Sequence, residues 1–462
     1  MESKKNFYIC FLFFLTNFSF IFCIIEIPLH PIVVRGDFKR DDLTTMISEN
    51  SYDEDIVSFY DTGNAEINKE LVFTANFKLN GHPEPFNLLL DTGSYAMWVA
   101  QKENIGKHNI THFYEPNKSH TCKETNETYL MMYGSGFVHG LYYYDQLEYI
   151  PNKISQMKFG VGSSIYFNVP RCDGIMGLGK EYENEEESLI CSLKNSGLTD
   201  TRAFSIKFEG EFTGGVKGSM FIGIHDDFNK KETKSSPLVN KTQTSWKCNI
   251  TSFGLKNSKT KLVSNESEVS VTFDTGTNVI YLPMAYFDGI KDNLEKFGCE
   301  FVNETERKRE RYKCKKGGEL PDIQFKINGY IYTIPKEDAH FEKKEDNDYL
   351  YSKAIFSESH LSYIMGSAFF FNFHTLFDMD GKELKFYPLK KGILEPDSPA
   401  PTPPKKLSTL AIVFIVIGCV AFVVAVSLIV YFVIIKRRKD IGKIDEPLDN
   451  PEERLYKEEE EG

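Results

Sequence analysis

The sequence predicts a mostly β chain of two related lobes, followed by one membrane-crossing helix. Three observations predict it. Between residues 71 and 389 short apolar strands alternate with Gly, Asn and Asp turns, in a chain with 38 Phe and 24 Tyr, types that favour strands. Within that stretch Asp-Thr-Gly occurs twice, at Asp91 and Asp274, each ending an apolar run: Phe86-Asn87-Leu88-Leu89-Leu90 and Val269-Ser270-Val271-Thr272-Phe273. Each copy is followed, 86 and 92 residues after its Asp, by two apolar residues and a Gly: Ile175-Met176-Gly177 and Ile364-Met365-Gly366. Average residue usage gives Asp-Thr-Gly about once in several thousand positions, so two copies with matching flanks mark a duplicated lobe. The third observation is residues 410–435, which carry no charge and are long enough to span a bilayer with some tilt.

At the N-terminus, Lys4 and Lys5 precede an apolar run to Ile25, interrupted by Thr16, Asn17 and Ser19. Residues 1–25 read as a secretory signal peptide or, lacking a small-x-small cleavage site, as a signal anchor. Residues 26–70 have no periodicity and read as a prosegment or an irregular N-terminal extension. The two lobes follow, 71–235 and 236–390. In the first, 188–196 reads as a short helix capped by Ser188, with Leu189, Ile190 and Leu193 at helical spacing, and the acidic run before it as a solvated loop. The basic run Arg307–Arg311 in the second lobe likewise reads as a solvated loop. Residues 391–406, with Pro396, Pro399, Pro401, Pro403 and Pro404, read as a semi-extended stalk. The membrane helix is expected at 407–435. It is closed by Lys436, Arg437, Arg438 and Lys439 on the cytosolic side, and 436–462 form an acidic cytosolic tail.

This topology, a single-pass type I protein with its lobes luminal or extracellular, is in keeping with seven Asn-x-Ser/Thr triplets, at Asn109, Asn117, Asn126, Asn240, Asn249, Asn265 and Asn303. Outside the apolar runs six cysteines remain. Cys299 and Cys314 flank a charged loop and are the expected disulfide; Cys122, Cys172, Cys191 and Cys248 allow three pairings, or a buried free thiol at Cys172. The net charge of −12 argues against a nucleic-acid partner. With no His-Glu-x-x-His, no Cys-x-x-Cys and no Gly-rich Lys loop, neither metal nor cofactor is expected.

The repeat carries its own chemistry. A strand delivers each Asp to a lobe edge, the Gly allows a sharp turn, and a neighbouring hydroxyl can bond the carboxylate. A twofold relation between lobes then sets Asp91 and Asp274 side by side, where two like charges cannot both ionise easily and the pair shares a proton. One member can take a proton from water while the other donates to a carbonyl oxygen.

These residues resemble the pepsin-like family of aspartic proteases, in a membrane-anchored form, over about 320 residues. Asp91-Thr92-Gly93-Ser94 with Trp98, the flap-like Tyr133-Gly134-Ser135-Gly136, Asp173-Gly174-Ile175-Met176-Gly177-Leu178-Gly179 and Leu320-Pro321-Asp322-Ile323 carry the resemblance. It implies a bilobal fold, Asp91 and Asp274 as catalytic dyad, and Thr92, Gly93, Ser94, Thr275, Gly276 and Thr277 as its support. It further implies that Tyr133, Gly134 and Ser135 form a flap over the substrate, Tyr133 reaching towards Trp98, with Ile175 as a pocket wall. Asn278 and Ser367 depart from the family, which usually has Ser and Asp there. The implied activity is hydrolysis of polypeptide substrates by a monomeric catalytic domain at acidic pH, on a lobe-stalk-anchor plan like that of β-secretase-type proteases. The alternative is a non-catalytic binding protein or receptor on the same fold.

Overall fold

A computed structural model describes residues 24–34, 70–102, 110–133, 136–149, 152–166, 172–180, 184–209, 217–239, 244–257, 263–304, 309–343, 346–358, 363–389 and 391–397. The chain divides after Asp397, and all of these residues belong to the first unit. The membrane-helix and tail expectations therefore lie outside the described residues, as does the signal reading up to residue 23. Among the described residues no helix is long and apolar enough to cross a membrane.

Two sheets, of 13 and 12 strands among the described residues, account for most of the fold. Both use the same device to place an Asp. In the first, Phe86–Asp91 runs parallel to Gly174–Gly177, with Asp91 opposite Gly177. In the second, Val263–Phe273 runs parallel to Tyr363–Met365, and the N–H of Asp274 donates to the carbonyl of Met365 (3.0 Å). Parallel strands buried on both faces carry near-continuous apolar sequence, as Leu88-Leu89-Leu90 does at 1% exposure or less.

The glycine of each apolar-apolar-Gly triplet has a steric cause. A Cβ on Gly177 would lie 2.5 Å from the carbonyl carbon of Tyr95, and one on Gly366 would lie 2.1 Å from the carbonyl oxygen of Val279. The chain there passes directly beneath the turn that follows each Asp, and only a residue without a side chain fits.

Several boundaries differ from those read in the sequence. Ile25–Val34, inside the segment read as a prosegment, is a strand paired with both Lys217–Ile222 and Glu70–Leu79. Ile393–Pro396, at the start of the segment read as a stalk, pairs with Tyr330–Thr333 of the second sheet. Phe373–Asp378 and Glu383–Pro388, late in the second lobe by sequence, join the first sheet beside Ala203–Glu209. Phe204 and Phe377 stack across that seam at 4.8 Å, with Trp246 edge-on to both. Burying each such aromatic is worth about 1.5–3 kcal/mol, enough to hold the returning strands.

The helix Leu189–Asn195 forms as expected, and the Ser188 hydroxyl accepts from the N–H of Cys191 (3.4 Å). The acidic run before it is not wholly solvated. Glu187 is buried, ion-paired with Lys158 (3.2 Å) and hydrogen-bonded by the Tyr142 hydroxyl (2.9 Å). A buried carboxylate with two such partners avoids the desolvation cost of standing alone. Nor is the basic run a solvated loop where it is described, since Arg309–Lys315 is a strand with Arg311 buried against the ring of Phe341.

Cys299 and Cys314 sit directly opposite on paired strands and are disulfide-bonded. Cys122, Cys172, Cys191 and Cys248 form no disulfide, each standing on a different segment. Burial raises the thiols of Cys172 and Cys248, the latter to about 12, so both stay protonated.

Candidate active site

Both aspartates are fully buried at the ends of their strands, and each turn folds back on its own carboxylate in the same way. Asp91 Oδ1 accepts from the N–H of Gly93 (2.8 Å) and Oδ2 from the hydroxyl of Ser94 (2.5 Å). Asp274 Oδ1 accepts from the N–H of Gly276 (2.8 Å) and Oδ2 from the hydroxyl of Thr277 (2.8 Å). Atom for atom, the second turn repeats the first.

The two turns are joined by their middle residues. Thr92 Oγ1 donates to the carbonyl of Phe273 (2.8 Å) and accepts from the N–H of Thr275 (2.9 Å). Thr275 Oγ1 donates to the carbonyl of Leu90 (2.8 Å) and accepts from the N–H of Thr92 (3.2 Å). Each hydroxyl thus crosses to the strand that delivers the other Asp, and four buried backbone groups are satisfied at once. Gly276 permits the approach, because a Cβ there would lie 2.8 Å from Asp91 Oδ1 and 3.2 Å from Asp274 Oδ1.

The electrostatic result is a pair that retains a proton. Burial first, then the adjacent Asp91 carboxylate, pushes the Asp274 carboxyl well above the usual range, against the stabilising bonds from Thr277 and Gly276. The two carboxyls are in hydrogen-bonding contact, which like charges could not sustain without that proton.

Of the residues expected in the flap, Tyr133 is described and lies near Asp91. Tyr133 ends the strand Lys123–Tyr133, and its hydroxyl accepts from Trp98 Nε1 (3.0 Å). Burial and the nearby Asp91 charge raise the phenol above its ordinary value, so it stays protonated. Gly134 and Ser135 lie outside the described residues. Ile175 is fully buried among Leu89, Trp98, Tyr133 and Val138, beneath the flap-side aromatics. Of the departures from the family pattern, Asn278 is partly exposed, and Ser367 uses its N–H to donate to the carbonyl of Thr277 (2.7 Å). That bond supports the second turn through the backbone, whatever the side chain.

Of the seven glycosylation candidates, Asn117 and Asn126 are exposed. Asn249 is half-buried and bonded to Glu268. Asn265 and Asn303 lie on strands, while Asn109 and Asn240 lie outside the described residues.

Two supporting residues have roles that the sequence did not show, although Asp173 begins one of the motifs that carry the resemblance. Asp173 accepts from the backbones of Asn87 (2.9 Å), Thr111 (2.9 Å) and His112 (2.8 Å), tying the strand that delivers Asp91 to a neighbouring loop. Trp246 donates from Nε1 to the carbonyl of Leu178 (2.8 Å), whose own N–H donates to the carbonyl of Asp91 (2.7 Å). The bonds that each makes depend on partners distant in sequence, and Trp246 stands in no motif.

Among the described residues, one group has the donor types of a metal site: His225, Asp227 and His374. Its carboxylate is already engaged by Lys230 and by Lys207 (3.4 Å), and His374 bridges it (3.0 Å) to Ser205 (2.9 Å). Two ammonium groups on one carboxylate disfavour a third cation, and the group is an internal ion network.

Comparison with known proteins agrees with this geometry. The sequence profile of the family described as eukaryotic aspartyl protease matches residues 74–389. Among relatives, a pregnancy-associated glycoprotein 4 of Ovis aries is 24% identical over 385 residues, spanning 80% of this chain and 97% of its own. Gastricsin of Mus musculus is 25% identical over 317 residues, 66% of this chain and 78% of its own. Pepsin A of Gallus gallus is 24% identical over 319 residues, 66% and 81% respectively. The chain is a member of the eukaryotic aspartyl protease family, with a mostly β, bilobal, pepsin-like fold.

Proposed function

We propose that this protein is a membrane-anchored aspartic endopeptidase that cleaves polypeptides at acidic pH in a luminal or extracellular compartment. The observation that carries the reading is the reciprocal dyad: two buried carboxyls in contact, each held by the same pair of donors and each cross-braced by the other lobe's threonine. A decayed site would have no reason to keep both halves matched.

The chemistry follows from one retained proton. The ionised carboxylate takes a proton from a water held between the pair, and that oxygen attacks the peptide carbonyl carbon. The protonated carboxyl gives its proton to the carbonyl oxygen, forming a neutral gem-diol. The proton taken from water then passes to the leaving nitrogen as the C–N bond breaks, while the gem-diol returns a proton to the dyad. The pair ends with one proton, as it began. Tyr133, with Gly134 and Ser135 beyond it, would close over an extended substrate.

The anchor rests on residues 407–435 and the basic cluster that follows, and the luminal placement on the sequons and on Cys299–Cys314. Zymogen control rests on Ile25–Val34, where Ile27-Pro28-Leu29 occupies a strand between two others and a removable segment would leave an open slot.

The test is peptide-library cleavage by the full-length chain, allowed to self-process, with and without a statine-type inhibitor. Inhibitor-sensitive cleavage at acidic pH is expected, with a loss of about 10²–10⁴-fold in Asp91→Ala and in Asp274→Ala. Peptides bound but never cut by the folded wild type would replace this reading with a binding protein.

A further inference from the structure

Tyr129 lies four residues before Tyr133 on the strand Lys123–Tyr133, and with Met131 it shares the buried face of that strand, while Leu130 is exposed. Its ring packs directly on Gly160, where a Cβ would fall between 2.5 and 2.6 Å from three of the ring atoms. Gly160 is itself the residue opposite Trp98 in the parallel pair of Trp98–Ala100 with Asn152–Ile165. On another side Tyr142 stands edge-on at 5.0 Å, its own hydroxyl donating to Glu187 (2.9 Å). Tyr129 is thus fully buried, in the same apolar cluster as Trp98, Tyr133 and Ile175. A phenylalanine would fill that place with the same ring.

The hydroxyl is the part that needs a reason. It is buried and lies against the hydroxyl of Tyr133, yet it makes no hydrogen bond of good geometry. A buried hydroxyl left in that state costs stability, so packing alone does not account for it. Tyr133 is the next group in a line that ends at the dyad. Its oxygen accepts from Trp98 Nε1 (3.0 Å) and neighbours the hydroxyl of Ser94, which donates to Asp91 Oδ2 (2.5 Å). A phenol both accepts and donates. With Trp98 and Tyr129 as its donors, Tyr133 has Ser94 as the outlet for its own proton, and every proton on the line then points towards Asp91.

The second lobe builds its joint differently. Ile280–Pro283 pairs with Tyr363–Met365 and Ala354–Ser357 as Trp98–Ala100 pairs with Gly174–Gly177 and Asn152–Ile165. The hairpin of Cys299–Glu304 and Arg309–Lys315 therefore holds the place of the flap hairpin. Tyr281 lies seven residues after Asp274, as Trp98 does after Asp91, and its hydroxyl meets the guanidinium of Arg309 (3.1 Å) where Trp98 meets a phenol.

We infer that Tyr129 is a positioning residue for Asp91: its hydroxyl donates to Tyr133 in the substrate complex and so fixes the Tyr133 proton on Ser94. This inference rests on the endopeptidase reading. Hydrogen bonds around a reacting group are often long or misaligned in the free enzyme and tighten once substrate is bound, which is the state the Tyr129 hydroxyl is poised for. Tyr129 acts through Tyr133 and Ser94 and does not itself touch the reacting atoms.

The test is a double-mutant cycle in the full-length chain, with Tyr129→Phe, Tyr133→Phe and the two together, on peptides that the wild type cuts. Tyr129→Phe should lower kcat by about 2–10-fold, the range for one lost hydrogen bond, with KM within about twofold because the buried phenol does not meet the substrate. Its melting temperature should equal or exceed that of the wild type, since Phe keeps the ring and removes an unsatisfied hydroxyl. In the Tyr133→Phe background the same change should cost nothing further. A wild-type kcat in Tyr129→Phe overturns the inference and leaves the protease reading intact. So does an equal loss in both backgrounds, or a loss that goes with a lowered melting temperature. If the wild type cuts no peptide, that reading falls, and calorimetry with a statine-type inhibitor decides the inference. Binding weakened by about 2–10-fold in Tyr129→Phe supports it, and equal affinity, or no binding by either protein, overturns it.

Discussion

The two lobes solve the same problem with unequal means. Each must hold an Asp turn against a strand that passes beneath it, and each does so with a parallel pair, a glycine and a threonine that crosses over. Above the turn they part. Among the described residues, the first lobe covers its turn with an apolar cluster of twelve buried residues that includes Trp98, Tyr129, Met131, Tyr133 and Ile175. The corresponding cluster in the second lobe is Val279, Tyr281, Ile355 and Ile364, and its hairpin contributes a row of cations on aromatic rings. Duplication has preserved the matched Asp turns of both halves and let the covering layers diverge.

The largest effect that breaks this symmetry is steric. Gly366→Ala would drive a methyl to 2.1 Å from the Val279 carbonyl oxygen, and Gly177→Ala one to 2.5 Å from the Tyr95 backbone. Overpacking of this kind costs about 1–3 kcal/mol or more, and both variants should lose activity with the displaced turn. Thermal melts should rank Gly366→Ala as at least as damaging. A milder Gly366→Ala than Gly177→Ala would show that the second turn yields where the first does not.

Next is the brace between the lobes. Thr92→Val and Thr275→Val each remove one donor and leave a buried N–H without its acceptor, at about 1–3 kcal/mol apiece. Because the two hydroxyls serve a single joint, the double variant should cost less than the two single losses added together. A denaturant-melt cycle measures the difference, and strict additivity would mean that the two bonds act independently.

The smallest effect is a pH slope. His374 at the seam of the first sheet and His340 in the second lobe are both lowered to about 4, chiefly by burial. His225, beside His374, is lowered in the same direction. A histidine whose folded pKa is depressed binds its proton more readily unfolded, so its contribution is complete above about pH 6.5 and is lost as pH falls towards 4. Asp227 acts in the same sense at lower pH, because His374, Lys230 and Lys207 hold it well below the carboxylate range. Chemical denaturation across that window should show stability falling by up to about 1.4 kcal/mol per pH unit for each histidine. His374→Gln and His340→Gln should each flatten part of the slope. A slope unchanged in both would assign it to other groups.

The sequence made the dyad legible because its signal is local. A strand, Asp-Thr-Gly and a later apolar-apolar-Gly can each be seen in a few residues, and the repeat multiplies their weight. Ser94 and Thr277 could be assigned to their carboxylates through the family resemblance that the same residues carry. What escaped depends on partners far along the chain. Glu187 looks solvated in an acidic run until Lys158 and Tyr142 are placed beside it. Arg309 and Arg311 look like a soluble basic loop until Tyr281 and Phe341 appear beneath them. The lobe boundary drawn near residue 235 follows the repeat, yet the sheet does not respect it, since pairing with Ala203–Glu209 is decided by strands that come last.

That last pairing bears on how the protein is made. Ser205 and His374, neighbours across the seam, are 169 residues apart. At about 5–20 residues per second, a ribosome takes roughly 10–30 s to deliver the second after the first. For all that time Ala203–Glu209 has a free side, lined with the apolar Phe204, Ile206 and Phe208 on alternate positions and relieved by Lys207 between them. An exposed strand edge is a template for wrong pairing, and a charge at its middle is the usual guard. The first lobe is thus begun early and finished late, and until the last strands arrive its sheet ends in an uncovered edge.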